Sequence, residues 1–114
     1  MQIHEKGPRA RARLHDWVDE RSLALDRRTA EIVRQHPELI QKALSNLDRW
    51  EAAHGPHPAF QEWRRILTTR SLEAILWLMT DDGEDAKRLR QSSPFTGILT
   101  PEERLEIFRH YETL

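Results

Sequence analysis

Residues 88–104, RLRQSSPFTGILTPEER, constrain the fold of this chain more than any other stretch. Pro94 and Gly97 prevent a single helix from running through the segment, because proline lacks a backbone donor and glycine favours turns. The sequence TPEE at 100–103 then supplies an N-cap threonine, a first-turn proline and the glutamate of a capping box. The segment therefore predicts the end of one helix, a short loop and the start of another helix.

The loop between these two helices is unusually apolar, since it contains Phe95, Ile98 and Leu99. Leaving a large apolar side chain in water costs about 1.5–3 kcal/mol. We therefore expect the loop to be covered, by the chain's own helices rather than by a partner. Arg88 and Arg90 precede it and are expected to stay exposed, where a guanidinium can pair bidentately with carboxylates of a partner.

The spacing of apolar residues elsewhere predicts an all-α fold, a compact bundle of about five to seven short helices without a sheet. Ser71 is the predicted N-cap of one helix, Asp81 or Asp82 caps the next, and Ser22 is an alternative start within the first. The last helix is expected to bury Leu105, Ile107 or Phe108, and Tyr111. The predicted helices cover about residues 10–35, 37–53, 58–67, 71–80, 84–91 and 101–112.

Residues 72–79, LEAILWLM, are apolar nearly all round and predict the central, buried helix. An apolar octet is also compatible with a strand, but the chain offers no second strand to pair with it. Trp77 lies in this octet, and each of the other three tryptophans (Trp17, Trp50 and Trp63) lies in a different predicted helix. All four are expected to join helices in the core, with a partner-binding surface as the alternative.

A chain of 114 residues, with 38% hydrophobic and 32% charged residues, fits one globular domain. Residues 1–8 end in Gly-Pro without periodicity and predict a flexible arm ahead of a helical domain at 9–114. The sequence has no cysteine, no apolar leader and no run of about 18 apolar residues. These features favour a cytoplasmic protein without membrane contact.

No pattern for catalysis or for a metal or cofactor site stands out. His54 and His57 flank a Gly-Pro pair that leaves the two rings in no fixed relation, and no third ligand has a defined spacing. Ser92 and Ser93 lie outside any strand–turn–helix elbow. We therefore expect no metal, no cofactor and no enzymatic activity, with a small enzyme as the third alternative.

DNA binding is the second alternative, because the predicted helices 71–80 and 84–91 are joined by a turn that contains Gly83. The second helix is acidic at its start and basic at its end, as favourable interaction with the helix dipole requires. A recognition helix reads bases with its N-terminal residues, which are acidic here. The net charge of −1 likewise predicts no attraction of the whole surface to nucleic acid.

The chain also resembles a group of known proteins in several short motifs. These are residues 88–104, LALDRRTAEI at 23–32, Pro37, NLDRW at 46–50 and Trp63. In this order, the motifs resemble a group of small helical bacterial proteins often found in toxin–antitoxin-like gene pairs. The resemblance covers about residues 22–112. It implies an antitoxin that neutralises a partner toxin by direct contact. The chain shows neither the ribbon-helix-helix strand nor the long disordered tail of common antitoxins, which argues against binding to its own promoter.

Two sets of residues are the candidates for contact with such a partner. The first lies within residues 88–104. The second is a basic cluster near the N-terminus, which is otherwise a solvated helix start. Together the candidates are Arg88, Arg90, Phe95, Arg9, Arg11 and Arg13.

Overall fold

The computed structural model describes the backbone of residues 2–112 and the side chains of residues 18–111. Within this part of the chain it contains six helices and no strand, which confirms the predicted all-α bundle. The helices are α1 (Gln2–Gln35), α2 (Leu39–His54), α3 (Pro58–Thr69), α4 (Leu72–Thr80), α5 (Glu84–Arg90) and α6 (Pro101–Glu112).

Helix α1 is longer than the sequence predicts, because it begins at Gln2 rather than near residue 10. It passes through Ser22 without a break, so the alternative helix start at that residue is wrong. The bounds of α1 take in residues 2–8, whose flexibility stays a prediction. The helix ends before Pro37, and its last turn is closed by the His36 backbone N–H, which donates to the Ile32 carbonyl at 2.9 Å.

Two predicted helix starts are confirmed by their capping bonds. Ser71 Oγ accepts a bond from the Ala74 backbone N–H at 3.2 Å. Thr100 and Glu103 form a reciprocal capping box, with the two side chain–backbone bonds at 3.0 and 3.1 Å. The starts of α4 and α6 therefore follow from local chemistry.

The start of α5 differs from the prediction. Gly83 occupies the N-cap position and offers no side-chain bond. Asp81 instead supports the preceding turn, because its Oδ2 accepts a bond from the Gly83 backbone N–H at 3.0 Å. This is an Asx-type turn, which competes with capping for the same carboxylate.

The core is built where α1 packs on α4 and α6, and where α2 packs on α3. Trp63 is its largest fully buried side chain. The Trp63 indole also donates a bond from Nε1 to the Leu89 carbonyl at 2.8 Å, so its polar atom is satisfied. The other buried apolar side chains in the cluster are Ala30, Val33, Ala43, Leu47, Ile66, Leu67, Ile75, Leu76, Met79, Leu89 and Phe95.

The expectation that all four tryptophans lie in the core is wrong for Trp77, which is 59% exposed. The core covers only the side of α4 that carries its buried residues. No described neighbour covers the opposite side, where Trp77 lies. Trp50 is half-buried beside Phe60, with ring centroids 5.7 Å apart. Trp17 lies outside the described side chains. Leu105 is also exposed, at 46%, so its predicted burial in α6 is wrong.

The burial of Trp63 and the exposure of Trp77 predict different effects of truncation on stability. Trp63→Ala should reduce the free energy of unfolding by about 3–5 kcal/mol, because it removes a fully buried side chain. Trp77→Ala should change it by less than about 1 kcal/mol, because surface substitutions have small effects. Urea unfolding followed by circular dichroism measures both. Equal losses in the two variants would contradict the assignment of Trp63 to the core and Trp77 to the surface.

Candidate functional site

The corner loop, residues 91–100, folds back on the core. Phe95 and Leu99 are buried and Ile98 is half-buried, so the expectation that the chain covers its own loop is confirmed. The Phe95 ring meets Trp63 edge-on, with centroids 5.9 Å apart. Phe95 was a candidate for partner contact, and a partner would reach its side chain only if the loop opened.

Side chains from α2 hold the corner loop in place. Asn46 is 2% exposed, and its Nδ2 donates to the Pro94 carbonyl at 2.8 Å and to the Thr96 carbonyl at 3.2 Å. Lys42 Nζ donates to the Gly97 carbonyl at 3.0 Å. Gly97 has a φ of 81°, a left-handed backbone conformation that residues with a side chain rarely adopt. The loop is thus fixed by bonds to its carbonyls as well as by apolar packing.

Arg90 is not exposed, contrary to the prediction, because its side chain retains only 10% of its accessible surface. Its Nε lies 2.9 Å from Asp26 Oδ2 on α1. Its Nη1 donates to the carbonyl of Leu78, at 3.1 Å, and to that of Asp81. The last carbonyls of a helix lack partners within the helix, so the end of α4 draws this guanidinium inward.

Arg88 is exposed as predicted, but its guanidinium is already paired within the chain. It binds Glu62 bidentately, with both N–O distances 3.1 Å, and Asp85 at 2.8 Å. The bond from Arg88 lowers the pKa of Glu62, and the bonds to both carboxylates raise the pKa of Arg88. Arg88 would therefore have to exchange internal carboxylates for those of a partner.

A cavity of about 600 Å³ lies between α1, α5 and the corner loop. Asp26 and Arg90 both line it. Burial raises the pKa of Asp26 from 3.8 to about 6, although the Arg90 charge opposes the shift. The hydroxyls of Thr29 and Ser93 already bond to backbone groups of the chain. No histidine or cysteine is among the described residues that line the cavity.

The most exposed large apolar side chain belongs to a second surface, between α1 and α4. We call this surface the Trp77 face. Arg34 and Glu73 pair across it, with N–O distances of 2.7 and 3.3 Å. Arg27 has no ion pair within the described residues, and Ala30 forms part of the buried floor. The face consists of Arg27, Ala30, Glu31, Arg34, Glu73, Leu76, Trp77 and Thr80.

Reasoning from the sequence missed the Trp77 face, although a signal was present. Trp77 lies four residues after Glu73 and three before Thr80, so these three side chains share one face of the helix. Glu73 and Thr80 are the polar residues within the span of α4. Their spacing marks the solvent side of the helix, and Trp77 belongs to that side.

The remaining candidates contribute less to a site. Arg9, Arg11 and Arg13 lie in α1, but their side chains lie outside the described residues. His57 Nδ1 accepts a bond from the Ala59 backbone N–H at 3.1 Å and so caps α3.

No group of three or more metal-ligating side chains is found among the described residues. None of the helices in that part of the chain has the length and apolarity required to span a membrane.

Comparison of the chain with protein-family models, with curated proteins and with solved structures gives no match.

The raised pKa of Asp26 predicts a pH dependence of stability. The folded state holds this proton up to about pH 6, whereas the unfolded chain releases it near pH 3.8. The stabilisation that comes from proton binding at Asp26 is therefore fully present below pH 3.8 and is lost as the pH rises through 6. Asp26→Asn removes the titration. The unfolding free energy of wild-type protein minus that of the variant should fall by on the order of 3 kcal/mol over this range.

Urea unfolding of both proteins at a series of pH values measures this difference. A difference that stays constant or grows between pH 4 and pH 6 would contradict the assignment of burial as the dominant cause at Asp26.

Proposed function

We propose that this chain is a protein-binding module that uses the Trp77 face, and that it acts as an antitoxin that neutralises a partner toxin by direct contact. The observation that carries the proposal is the 59% exposure of Trp77 on helix α4. Tryptophan and arginine are enriched among the residues that dominate binding energy at protein interfaces. Here both occur on one face, next to an apolar floor.

The fixed position of α4 makes Trp77 a suitable anchor. One side of the helix is buried in the core through Ile75, Leu76 and Met79. Ser71 caps its start, and Arg90 donates to the Leu78 carbonyl near its end. An anchor held by a rigid helix loses little conformational freedom on binding, which favours affinity. The toxin is proposed as the partner on the resemblance of residues 22–112 to proteins of toxin–antitoxin-like gene pairs. The cytoplasm is proposed as the location because the sequence has no cysteine.

DNA binding through α4 and α5 has less support. The three basic residues of α5 are each paired with a carboxylate in the chain: Lys87 with Asp19 at 3.7 Å, Arg88 with Glu62 and Asp85, and Arg90 with Asp26. Contacts with phosphate would have to replace these pairs. The helix has only seven residues and begins with two acidic side chains, which would repel phosphate.

Growth of a bacterium that expresses the toxin tests the proposal. The probe is the protein encoded by the gene adjacent to this one, expressed from an inducible promoter. Wild-type chain should relieve the growth arrest that this protein causes. Trp77→Ala should lose the relief, because truncation of an interface anchor weakens binding by about tenfold or more.

Leu105→Ala is the matched control, since Leu105 is the other exposed large apolar residue and lies on α6. It should retain the relief at equal soluble level. Relief by Trp77→Ala equal to that of wild type would contradict the Trp77 face as the binding surface. An adjacent protein that does not arrest growth would contradict the antitoxin assignment.

A further inference from the structure

The cavity between α1, α5 and the corner loop shares no residue with the Trp77 face. Its volume of about 600 Å³ lies within the range of small-molecule sites in proteins, about 300–1,000 Å³. Part of its wall is apolar, through Leu23, Phe95 and Leu99. Such sites combine apolar walls with a few polar groups that orient the ligand.

Two ion pairs join α1 to α5 at this cavity. Asp19 pairs with Lys87 at 3.7 Å, and Asp26 pairs with Arg90 at 2.9 Å. Asp19 and Asp26 are seven residues apart, which is close to two helical turns, so they lie on the same side of α1. The cavity is therefore lined by charges of both signs, which face each other from two helices.

The pair formed by Asp26 and Arg90 has unused hydrogen-bonding capacity. Arg90 is nine-tenths buried, because its side chain keeps 10% of its accessible surface. Its Nε faces Asp26 Oδ2 and its Nη1 donates to two carbonyls, but its Nη2 donates to no group among the described residues. Asp26 Oδ1 likewise accepts no hydrogen bond in that part of the chain. Because buried polar groups normally have partners, this donor and this acceptor are suited to a ligand.

The charges around the cavity are close to balanced, so a ligand of one sign would not be favoured. The described residues that line it carry four carboxylates, on Asp19, Glu20, Asp26 and Asp82, and three cations, on Lys87, Arg90 and Arg104. A ligand with only negative charge would be repelled by Asp26, and a ligand with only positive charge would be repelled by Arg90. A molecule that carries one charge of each sign pairs with both side chains.

We propose that this cavity binds a small zwitterion with an apolar body, of the chemical class of the apolar amino acids. The ammonium group pairs with Asp26 Oδ1, the carboxylate pairs with Arg90 Nη2, and the apolar body packs on Phe95 and Leu99.

Ser93 is placed to assist Arg90. Its backbone N–H donates to the Arg90 carbonyl at 3.2 Å, so the two residues are adjacent at the cavity wall. Its Oγ accepts a bond from the Phe95 backbone N–H at 3.3 Å. A hydroxyl that accepts in this way still has its own hydrogen to donate, here to the ligand carboxylate.

This proposal goes beyond the binding of a toxin and does not depend on it. A bound zwitterion would contact α1, α5 and the corner loop together. Because it binds the folded chain only, it should also raise the melting temperature of the protein.

Titration of the full chain, followed by ¹H–¹⁵N NMR, tests the proposal with L-leucine, L-methionine and L-phenylalanine as probes. At least one of them should bind and shift the backbone signals of Arg90, Ser93 and Phe95. The tightest binder is then compared with the analogues that lack its carboxylate or its ammonium group. For L-phenylalanine, these are phenethylamine and 3-phenylpropionate.

Each analogue should bind about tenfold more weakly or worse, because a hydrogen bond to a charged group contributes a factor of this size. The absence of binding by all three amino acids at about 10 mM overturns the proposal. An analogue that binds as tightly as its amino acid overturns the assignment of a zwitterion.

A substitution at the rim tests the location of the site. Ser22 lines the cavity, is exposed and makes no side-chain hydrogen bond among the described residues. Ser22→Phe should therefore leave the fold intact, as circular dichroism verifies, and weaken binding about tenfold or more by filling the rim. Ser45→Phe, on the exposed side of α2, is the matched control and should bind like wild type. Unchanged binding by Ser22→Phe overturns the cavity as the site.

The affinity should also depend on pH, because a proton and the ligand ammonium compete for Asp26. Burial raises the pKa of Asp26 to about 6, and Arg90 opposes the shift. The other charged groups that line the cavity are Asp19, Glu20, Asp82, Lys87 and Arg104. The amino acid should bind about tenfold more weakly at pH 5 than at pH 7, since Asp26 is protonated at the lower pH.

Asp26→Asn keeps the shape of the side chain and removes its titration. This variant should bind the amino acid about tenfold more weakly than wild type at pH 7 and without the pH dependence. A wild-type affinity that is the same at both pH values, or an Asp26→Asn variant that binds like wild type at pH 7, overturns the pairing of the ammonium group with Asp26.

Discussion

The rest of this fold depends on the hydrogen bonds that the Asn46 side chain donates to the corner loop. A loop can be buried only if its backbone carbonyls find donors, because an unpaired polar group in the interior is costly. Asn46 is itself buried and supplies a donor to the carbonyls of Pro94 and Thr96. Its bonds allow the corner loop to leave water, so that Phe95 reaches Trp63 and closes the core.

The ends of the helices around the loop are satisfied in the same way by distant side chains. The Trp63 indole donates to the carbonyl of Leu89, near the end of α5, and Arg90 donates to carbonyls at the end of α4. Asp26 neutralises Arg90 and ties both helices to α1. The pair is half-buried, and removing Asp26 would leave the largely covered guanidinium of Arg90 without its carboxylate. These contacts fix α4, and through it the orientation of Trp77.

The sequence predicts those features of the fold that depend on neighbouring residues. The capping box at 100–103 and the cap at Ser71 are local, and both helix starts are found where the pattern places them. The burial of Phe95 and Leu99 also follows, since an apolar loop between short helices has few alternatives to self-burial. The long extent of α1 is not predicted, because Gly7 and Pro8 suggest an interruption in the chain.

The candidate site depends on which helix faces are covered by distant parts of the chain, and local patterns do not contain that information. Arg90 was expected at the surface because arginine is normally exposed. Its burial depends on Asp26, which is 64 residues away in sequence. Trp77 was expected in the core because its helix is apolar. Its exposure depends on how many neighbours the helix has, and only the polar residues Glu73 and Thr80 indicate the open side.

The central claim is a division of roles in which Trp63 closes the core and Trp77 stays free to bind. Deuterium exchange of the indole N–H groups, followed by NMR in dilute protein and assigned with single Trp→Phe variants, tests it most directly. The Trp63 signal should exchange only with global unfolding, because its N–H is buried and bonded to a carbonyl. The Trp77 signal should exchange at the rate of free indole. Rapid exchange at Trp63, or protection at Trp77 in the monomer, would contradict the account.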